Sequence, residues 1–450
     1  MFKKNKINFF LIYGLLPFLL LKILTIYFLG LGPGVPFGAI HHPEKDLLQY
    51  DLLNTLKYWH YSPPLINFIL GILLKITDGS LFLINLIYFL INLSMTFIIL
   101  LIGYYFCVKF NLSKSKKIIL LFFIIFNPDI IFYENYSRPI YSHTIAFLFS
   151  LLCYYSFNFF VKNRFSDFIK IFIVLCIMTY TWTLFHPILL IAVYFIFYFV
   201  FNIKHKKNLI IFLIFFSISL FPFIKNKIVF DFFGAGSHLW IQISQTIPDH
   251  QENCFQPIKD IIAEERRNYK IDHEKWDKIH PSLKDPPLAS TGLFLHLNLN
   301  NITYVKRSYI CKEWFLNKIK NDPLLYPEKR AMSFLASHSK FAFEFVVGAP
   351  DYLKKTFSYE NHKNIKLFKQ LILITYMLCV YLLFFYIILF NKNLILKRFL
   401  ITIMTVYFYL VLIGHLFNGY EQERMMYGGI FIHFLFYLFV LNKKKDYEFK

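Results

Sequence analysis

Three carboxylates stand close together just past the first long apolar block. The stretch reads HHPEKDLLQYDLLNTLKYWHYSPPLINFIL from His41 onward and carries Glu44, Asp46 and Asp51. A carboxylate held at a membrane face against apolar walls has its pKa tuned by its surroundings and can serve as a general base. The competing reading is a solvated loop with ordinary acids. Cations suited to work beside such a base are sparse. Arg138, His186 and Arg424 are among the few that flank apolar blocks on the same side of the topology derived below, and a charge beside a span is a reason to suspect function. His41–His42, next to Glu44 and Asp46, is a candidate pair for a divalent metal, although adjacent loop histidines are more often unliganded. Tyr58, Trp59, His60 and Tyr61 offer faces on which a sugar could stack, against the plainer reading of interfacial packing.

The elements that must position these groups are written in the apolar residues. Hydrophobic residues make up 57% of the 450-residue chain, and they come in long unbroken blocks rather than at helical or strand period. A bilayer is the solvent such blocks require. The expected spans are 9–30, 81–107, 118–133, 143–161, 169–186, 188–203, 208–224, 366–390, 399–418 and 427–442, about ten in all. The first block is too long for a signal-peptide core and has no small-residue cleavage site after it, so it reads as a retained helix.

The net charge of +21 does not point to nucleic acid. Its cations sit in short loops: Lys3, Lys4 and Lys6; Lys109, Lys114, Lys116 and Lys117; Lys162 and Arg164; Lys204, Lys206 and Lys207; Lys392, Lys397 and Arg398; Lys443, Lys444 and Lys445. They recur at every second loop with almost no acids, which is the positive-inside pattern, whereas a nucleic-acid surface gathers its cations on one folded face. Both termini are then expected in the cytoplasm. The outer loops become 31–80, 134–142, the turn at His186–Pro187, 225–365 and 419–426.

The stretch 66–76 is too short to cross and follows Pro63–Pro64, which favour starting a helix after them. It is expected to lie at the outer interface. The chain thus divides into an N-terminal membrane module at 1–224, an extracytoplasmic, mostly α segment at 225–365 between spans seven and eight, and C-terminal spans at 366–450. The outer segment has mixed charge and enough apolar residues for a small core. Cys254 and Cys311 are the two cysteines of that segment, and an oxidising compartment would permit a disulfide between them. Asn135 and Asn301 begin Asn-x-Ser/Thr triplets, for which chance is the better explanation than glycosylation. There is no phosphate-binding glycine loop, no nucleotide fingerprint and no zinc spacing, and every inner loop is too short to hold a nucleotide-sugar domain.

An acid after the first span, a tyrosine four positions on (Asp46, Tyr50) and a PPL tripeptide opening a helix (Pro63, Pro64, Leu65) together resemble the GT-C glycosyltransferases. The nearest likeness is to the dolichyl-phosphate-mannose protein mannosyltransferases and the lipid A aminoarabinose transferases. The short loop YENYSRPIYSHT at 133–144, the His186–Pro187 pair and the last loop YEQERMMYGG at 420–429 extend it. The chain departs from the family in two places. Leu47 follows Asp46 where many relatives have a second acid, and Tyr141, Ser142 and His143 stand where many have an acid before the fourth span.

The resemblance implies a polyprenyl-phosphate sugar donor and an acceptor hydroxyl. Asp46 would take the acceptor's proton, with Tyr50, Asp51, Glu44 and Glu423 in support. Arg424, backed by Arg138 and His186, would hold the leaving phosphate. Some relatives use a divalent ion. A polysaccharide polymerase or ligase is the alternative, marked by arginines in the outer segment. A transporter or flippase is a third reading and needs polar groups within spans, of which these are nearly free.

Overall fold

The computed structural model describes residues 4–29, 43–127, 129–131, 140–182, 185–244, 247, 273–284, 289–290, 295–296, 298–327, 363–417 and 427–442. Among these the chain is helical almost throughout. One short ladder interrupts it, pairing Ala289 with His296 and Ser290 with Leu295. Helix α1 spans Lys6–Phe28, with a π-helical turn at Leu11–Leu15. Two short helices follow, α2 at Lys45–Tyr50 and α3 at Leu52–Lys57, and then α4 at Leu65–Ile76. The bundle continues with α5 (Leu81–Lys109), α6 (Lys114–Ile125), α7 (Ile140–Lys162), α8 (Phe165–Thr181), α9 (Ile188–Val200) and α10 (Lys206–Phe230). The central segment contributes α11 (His238–Ser244), α12 (His273–Ile279), β1 (Ala289–Ser290), β2 (Leu295–His296) and α13 (Ile302–Asn321). Helices α14 (Lys363–Phe390), α15 (Leu394–Phe417) and α16 (Phe431–Leu441) close the chain.

Among the described residues, six stretches are long and apolar enough to cross a membrane: α1, α5, Ser142–Lys162 within α7, α10, Leu371–Phe390 within α14 and Leu394–Leu412 within α15. The protein is therefore an integral, multi-pass membrane protein. The other four sequence blocks are helical but shorter, in α6, α8, α9 and α16. Leu16 and Ile23 of α1, Phe221 of α10 and Leu382 of α14 are all more than half exposed, a wall that only an apolar solvent tolerates. Inside, Phe106 of α5 joins four helices. Its ring lies 5.2 Å from Phe157 of α7, 5.8 Å from Phe399 of α15 and 5.8 Å from Phe431 of α16.

Contacts sort the helix ends into two poles. At one, Tyr104 Oη donates to the Lys6 carbonyl (2.7 Å), Lys116 Nζ to the Leu441 carbonyl (2.5 Å) and Arg398 to the Phe201 carbonyl (3.3 Å). Lys397 Nζ donates likewise to the Leu389 carbonyl at 3.0 Å. These cations satisfy carbonyls left over at helix C-termini, where positive charge is also favoured by the helix dipole. Asn111 closes α5 at φ 51° with a complete Schellman pair, Leu112 N–H to the Cys107 carbonyl and Asn111 N–H to the Val108 carbonyl, both at 3.1 Å. The described basic clusters of the sequence all lie at this pole. The acid-bearing helices α2 and α3 lie at the other.

Those short helices are braced as a platform. Leu48 and Leu52, one turn apart, pack on Ile66, Leu70 and Leu74 of α4 and on Ile84 and Tyr88 of α5, with Trp182 at the edge. Pro64 caps α4, whose first turn needs no donor from it. Contact is closest at Gly71, where a Cβ would stand 2.3 Å from Leu52 Cδ1 and 3.1 Å from the Leu48 carbonyl oxygen. Replacing Gly71 by Ala should therefore push α3 off α4, at about 1–3 kcal/mol of local stability. Hydrogen exchange over residues 45–57 should rise in Gly71→Ala and stay unchanged in Leu53→Ala, whose side chain is exposed.

Candidate functional site

Asp46 occupies the first turn of α2 and is exposed to solvent, as is Tyr50, while Glu44 is half-buried at the N-cap. Helical spacing explains the division: with Leu48 and Leu52 turned inward, Asp46 and Tyr50 are left on the open side. The far end of the platform is tied as well. Gly79, at φ 71°, lets the turn after α4 pass beneath Lys45 and Gln49, and Gln49 Nε2 donates to Asp78 Oδ1 at 3.4 Å.

Asp51 sits at the break between α2 and α3 and its carboxylate is committed. Oδ1 accepts from Asn54 Nδ2 (2.9 Å) and Oδ2 from His280 Nε2 (3.2 Å). The His280 tautomer follows from its other nitrogen, because Nδ1 accepts the Ser282 backbone N–H at 3.1 Å, which leaves the proton on Nε2. Tyr58 stacks on the His280 ring at 5.2 Å. Asp51 thus ties the first loop to the central segment and is not a free partner for Asp46.

The loop from Leu56 to Tyr61 is pinned from several sides. Asn300 Oδ1 accepts the backbone N–H groups of His60 (2.8 Å) and Tyr61 (3.2 Å), and its Nδ2 donates to the Tyr58 carbonyl at 3.0 Å. Ser237 N–H donates to the His60 carbonyl, and Ser237 Oγ lies 2.9 Å from His60 Nδ1. Lys225 Nζ donates to the carbonyls of Trp59 and Leu56. Tyr58, Trp59, His60 and Tyr61 are therefore largely structural: Trp59 and Tyr61 are buried in an aromatic cluster with Tyr304 and Trp240.

His186 lies at the turn between α8 and α9. Its backbone N–H donates to Tyr409 Oη of α15 (3.1 Å), its Nδ1 accepts from Ile188 N–H (3.4 Å), and its ring meets Phe223 of α10 edge-on at 4.7 Å. Burial lowers its pKa, so at neutral pH it is an uncharged donor through Nε2 rather than a cation. Four residues earlier, Trp182 packs on the platform, so the His186 turn and the acid-bearing helices share one pole. Arg138, Arg424, Glu423, His41, His42, Asn135 and Cys254 lie outside the described residues. Cys311 is disulfide-bonded, while Cys107, Cys153, Cys176 and Cys379 are free. Asn301 is buried and caps α13, its Oδ1 accepting from Tyr304 N–H at 3.2 Å, so its triplet is no accessible glycosylation site.

The structure adds a polar cluster that the sequence does not announce. His143, at the departure from the family's acid, is buried. Its Nδ1 lies 2.8 Å from Tyr427 Oη, and its Nε2 lies 3.2 Å from Thr96 Oγ1 and 3.3 Å from the Asn92 carbonyl. A carbonyl can only accept, so Nε2 carries the proton and Tyr427 donates to Nδ1. Lys22 of α1, also buried, stands over the Phe18 ring at 5.3 Å and within electrostatic reach of His143. Ser142 Oγ is buried with no hydrogen-bond partner. Spans read as nearly free of polar groups thus collect several of them at one place, because single polar residues on different helices converge only on packing. Among the described residues no group of three or more His, Cys, Asp or Glu side chains is placed to hold a metal ion.

No family model, no curated protein and no solved structure matches this chain.

Burial keeps the junction's histidines neutral. His60 is lowered from 6.5 to about 3, by desolvation first and by Lys225 second. His238 is lowered from 6.5 to about 4, by desolvation and then Arg307. Burial lowers His280 as well, against the raising effect of Asp51. An unfolded loop would take up protons just below 6.5, whereas the folded junction does not. The histidines' contribution to its stability is therefore complete above that pH and falls as acid is added, by about 1.4 kcal/mol per histidine per pH unit down to the folded pKa. The protection factor over 56–61 and 298–305, taken relative to the slower intrinsic exchange in acid, should fall steeply between pH 6.5 and 4.5, and His60→Gln should flatten that dependence. Equal protection at both pH values would mean that the histidines are not held neutral.

Proposed function

We propose that the chain is an integral membrane glycosyltransferase of GT-C type. It moves a sugar from a polyprenyl-phosphate donor to an acceptor hydroxyl at the extracytoplasmic face. In this reading about ten segments span or enter the bilayer, both termini are cytoplasmic, and the pole without basic clusters faces outward. The observation that carries the reading is the exposed carboxylate of Asp46 on a braced helix at that pole, joined through Trp182 to the turn that bears His186. A reacting acid on a rigid element keeps its geometry, which is the condition for base catalysis.

Asp46 accepts the proton of the acceptor hydroxyl as its oxygen bonds to the anomeric carbon. The bond from that carbon to the phosphate oxygen breaks, and polyprenyl phosphate leaves with the electron pair. His186 donates through Nε2 to the departing phosphate, and Arg424 supplies the charge a neutral imidazole lacks. Tyr427, anchored by His143 three residues after Arg424, fixes the end of the last loop. A divalent ion bound to the donor phosphate is compatible with this arrangement.

A transporter is the second reading, favoured by the buried polar groups around His143. Of the outer segment's arginines, which the polymerase reading would use, Arg307 is buried within the central segment and Arg266, Arg267 and Arg330 lie outside the described residues. The test is a transfer assay in membranes with radiolabelled polyprenyl-phosphate sugars. Asp46→Asn should insert normally and lose on the order of 10²–10⁴ in rate, whereas Asp51→Asn should keep most of its rate. Full activity in Asp46→Asn would remove that residue from the mechanism, and no transfer from any donor by the wild type would favour the transporter. Arg424→Ala should raise the donor concentration needed.

A further inference from the structure

The basic pole carries a cluster of lysines whose charge no described carbonyl or carboxylate answers. Lys116, Lys397 and Arg398 are engaged with carbonyls. Lys6 of α1 and Lys114 and Lys117 of α6 are not, and none of the three has a carboxylate partner among the described residues. Lys114 and Lys117 converge on one pair of rings. Phe9 and Tyr13 lie 4.9 Å apart on α1, Lys114 Nζ stands 5.1 Å from the Tyr13 centroid and Lys117 Nζ 6.0 Å from that of Phe9. Lys6 precedes Phe9 by three residues, which sets it on the same helix face. Burial lowers the Lys117 pKa, and Lys6, close enough to repel, lowers it a little further. Aromatic faces soften such crowding but do not neutralise it.

The surface just below is apolar. Leu16 and Leu20, further along α1, are more than half exposed, and Phe122 of α6 and Phe126 just past its end are exposed as well. Three unneutralised cations above an exposed hydrocarbon wall complement one kind of molecule, with an anionic head and apolar tails. We propose that Lys6, Lys114 and Lys117 form a binding site for the phosphate headgroup of an anionic phospholipid, whose acyl chains lie along Leu16, Leu20, Phe122 and Phe126. The site lies at the pole opposite Asp46 and does not depend on the transferase reading. The headgroup completes the charge balance between α1 and α6, so the lipid fastens the first helix to the bundle.

The test uses the full chain purified in detergent, with dioleoylphosphatidylglycerol and dioleoylphosphatidylcholine titrated separately and bound lipid counted by native mass spectrometry. The wild type should retain one phosphatidylglycerol in preference to phosphatidylcholine. The triple variant Lys6→Gln, Lys114→Gln, Lys117→Gln should bind it roughly a hundredfold more weakly, from the usual contribution of a lysine at an anionic surface. Lys204→Gln, Lys206→Gln, Lys207→Gln removes the same charge from the same pole and should leave the affinity unchanged. A triple Lys→Arg variant at the site should bind normally, which separates loss of charge from misfolding. Equal loss in both Gln variants, or equal retention of phosphatidylcholine, would overturn the site. Displacement of the lipid by inorganic phosphate at matching concentration would overturn the tail contacts and leave a simple anion site.

Discussion

The carboxamide of Asn300 holds an irregular stretch of backbone that would otherwise have nowhere to bond. Residues 58–62 follow no helix or strand and lie under the central segment, where water is excluded from much of the chain. Two consecutive N–H groups, of His60 and Tyr61, end on one oxygen, and the amide returns a donor to Tyr58. A buried backbone group left unmade costs about 1–3 kcal/mol, so one side chain meets a demand of several such groups. Lys225 and Ser237 meet the rest from α10 and the segment after it. Asp46 inherits its position from this, because α2 and α3 are anchored at their C-terminal end by the pinned loop and along their length by Leu48 and Leu52.

Much of the architecture can be read directly from the chain, because apolar length and charge asymmetry are local signals. The six stretches able to cross fall on blocks that composition alone marks out, and α4 begins where Pro63–Pro64 permits. The junction is different in kind. Asn298, Asn300 and Asn301 look like loop asparagines, yet all three are buried and bonded. Asp51 meets His280 across 229 residues, and no periodicity carries such a pairing. Of the candidate site, the platform bearing Asp46 was legible from a carboxylate and a PPL turn. The commitment of Asp51 and the neutrality of His186 were not, since both depend on what packs around them.

The cluster at His143 shows how a bilayer protein accommodates polarity. Asn92 and Thr96 of α5 and His143 of α7 are isolated polar residues in long apolar helices, and each taken alone would cost free energy in lipid. Together they close on one another. The imidazole gives to the Asn92 carbonyl and takes from Tyr427, and Thr96 Oγ1 also donates to Asn92. A network of this kind restricts the helices to one register, because a slip of either α5 or α7 would strand several groups at once. It also gives the last loop a fixed end, since Tyr427 cannot leave His143 without abandoning a buried partner.

Charge at the opposite pole has two physical roles that composition alone cannot separate. Lysines and arginines in short loops bias insertion, and any sequence order of them would do so equally well. Lys116 over the end of α16, Lys397 over α14 and Arg398 over α9 require particular residues at particular places, since each answers a carbonyl left at a helix C-terminus. Whatever part these cations take in insertion, they also serve as mortar between helix ends. Lys6, Lys114 and Lys117 belong to the first role but not to the second, and their crowding around Phe9 and Tyr13 is a cost that the fold does not itself offset. A membrane supplies anions at that depth in one leaflet, so the protein's charge balance is completed by its solvent rather than by its sequence.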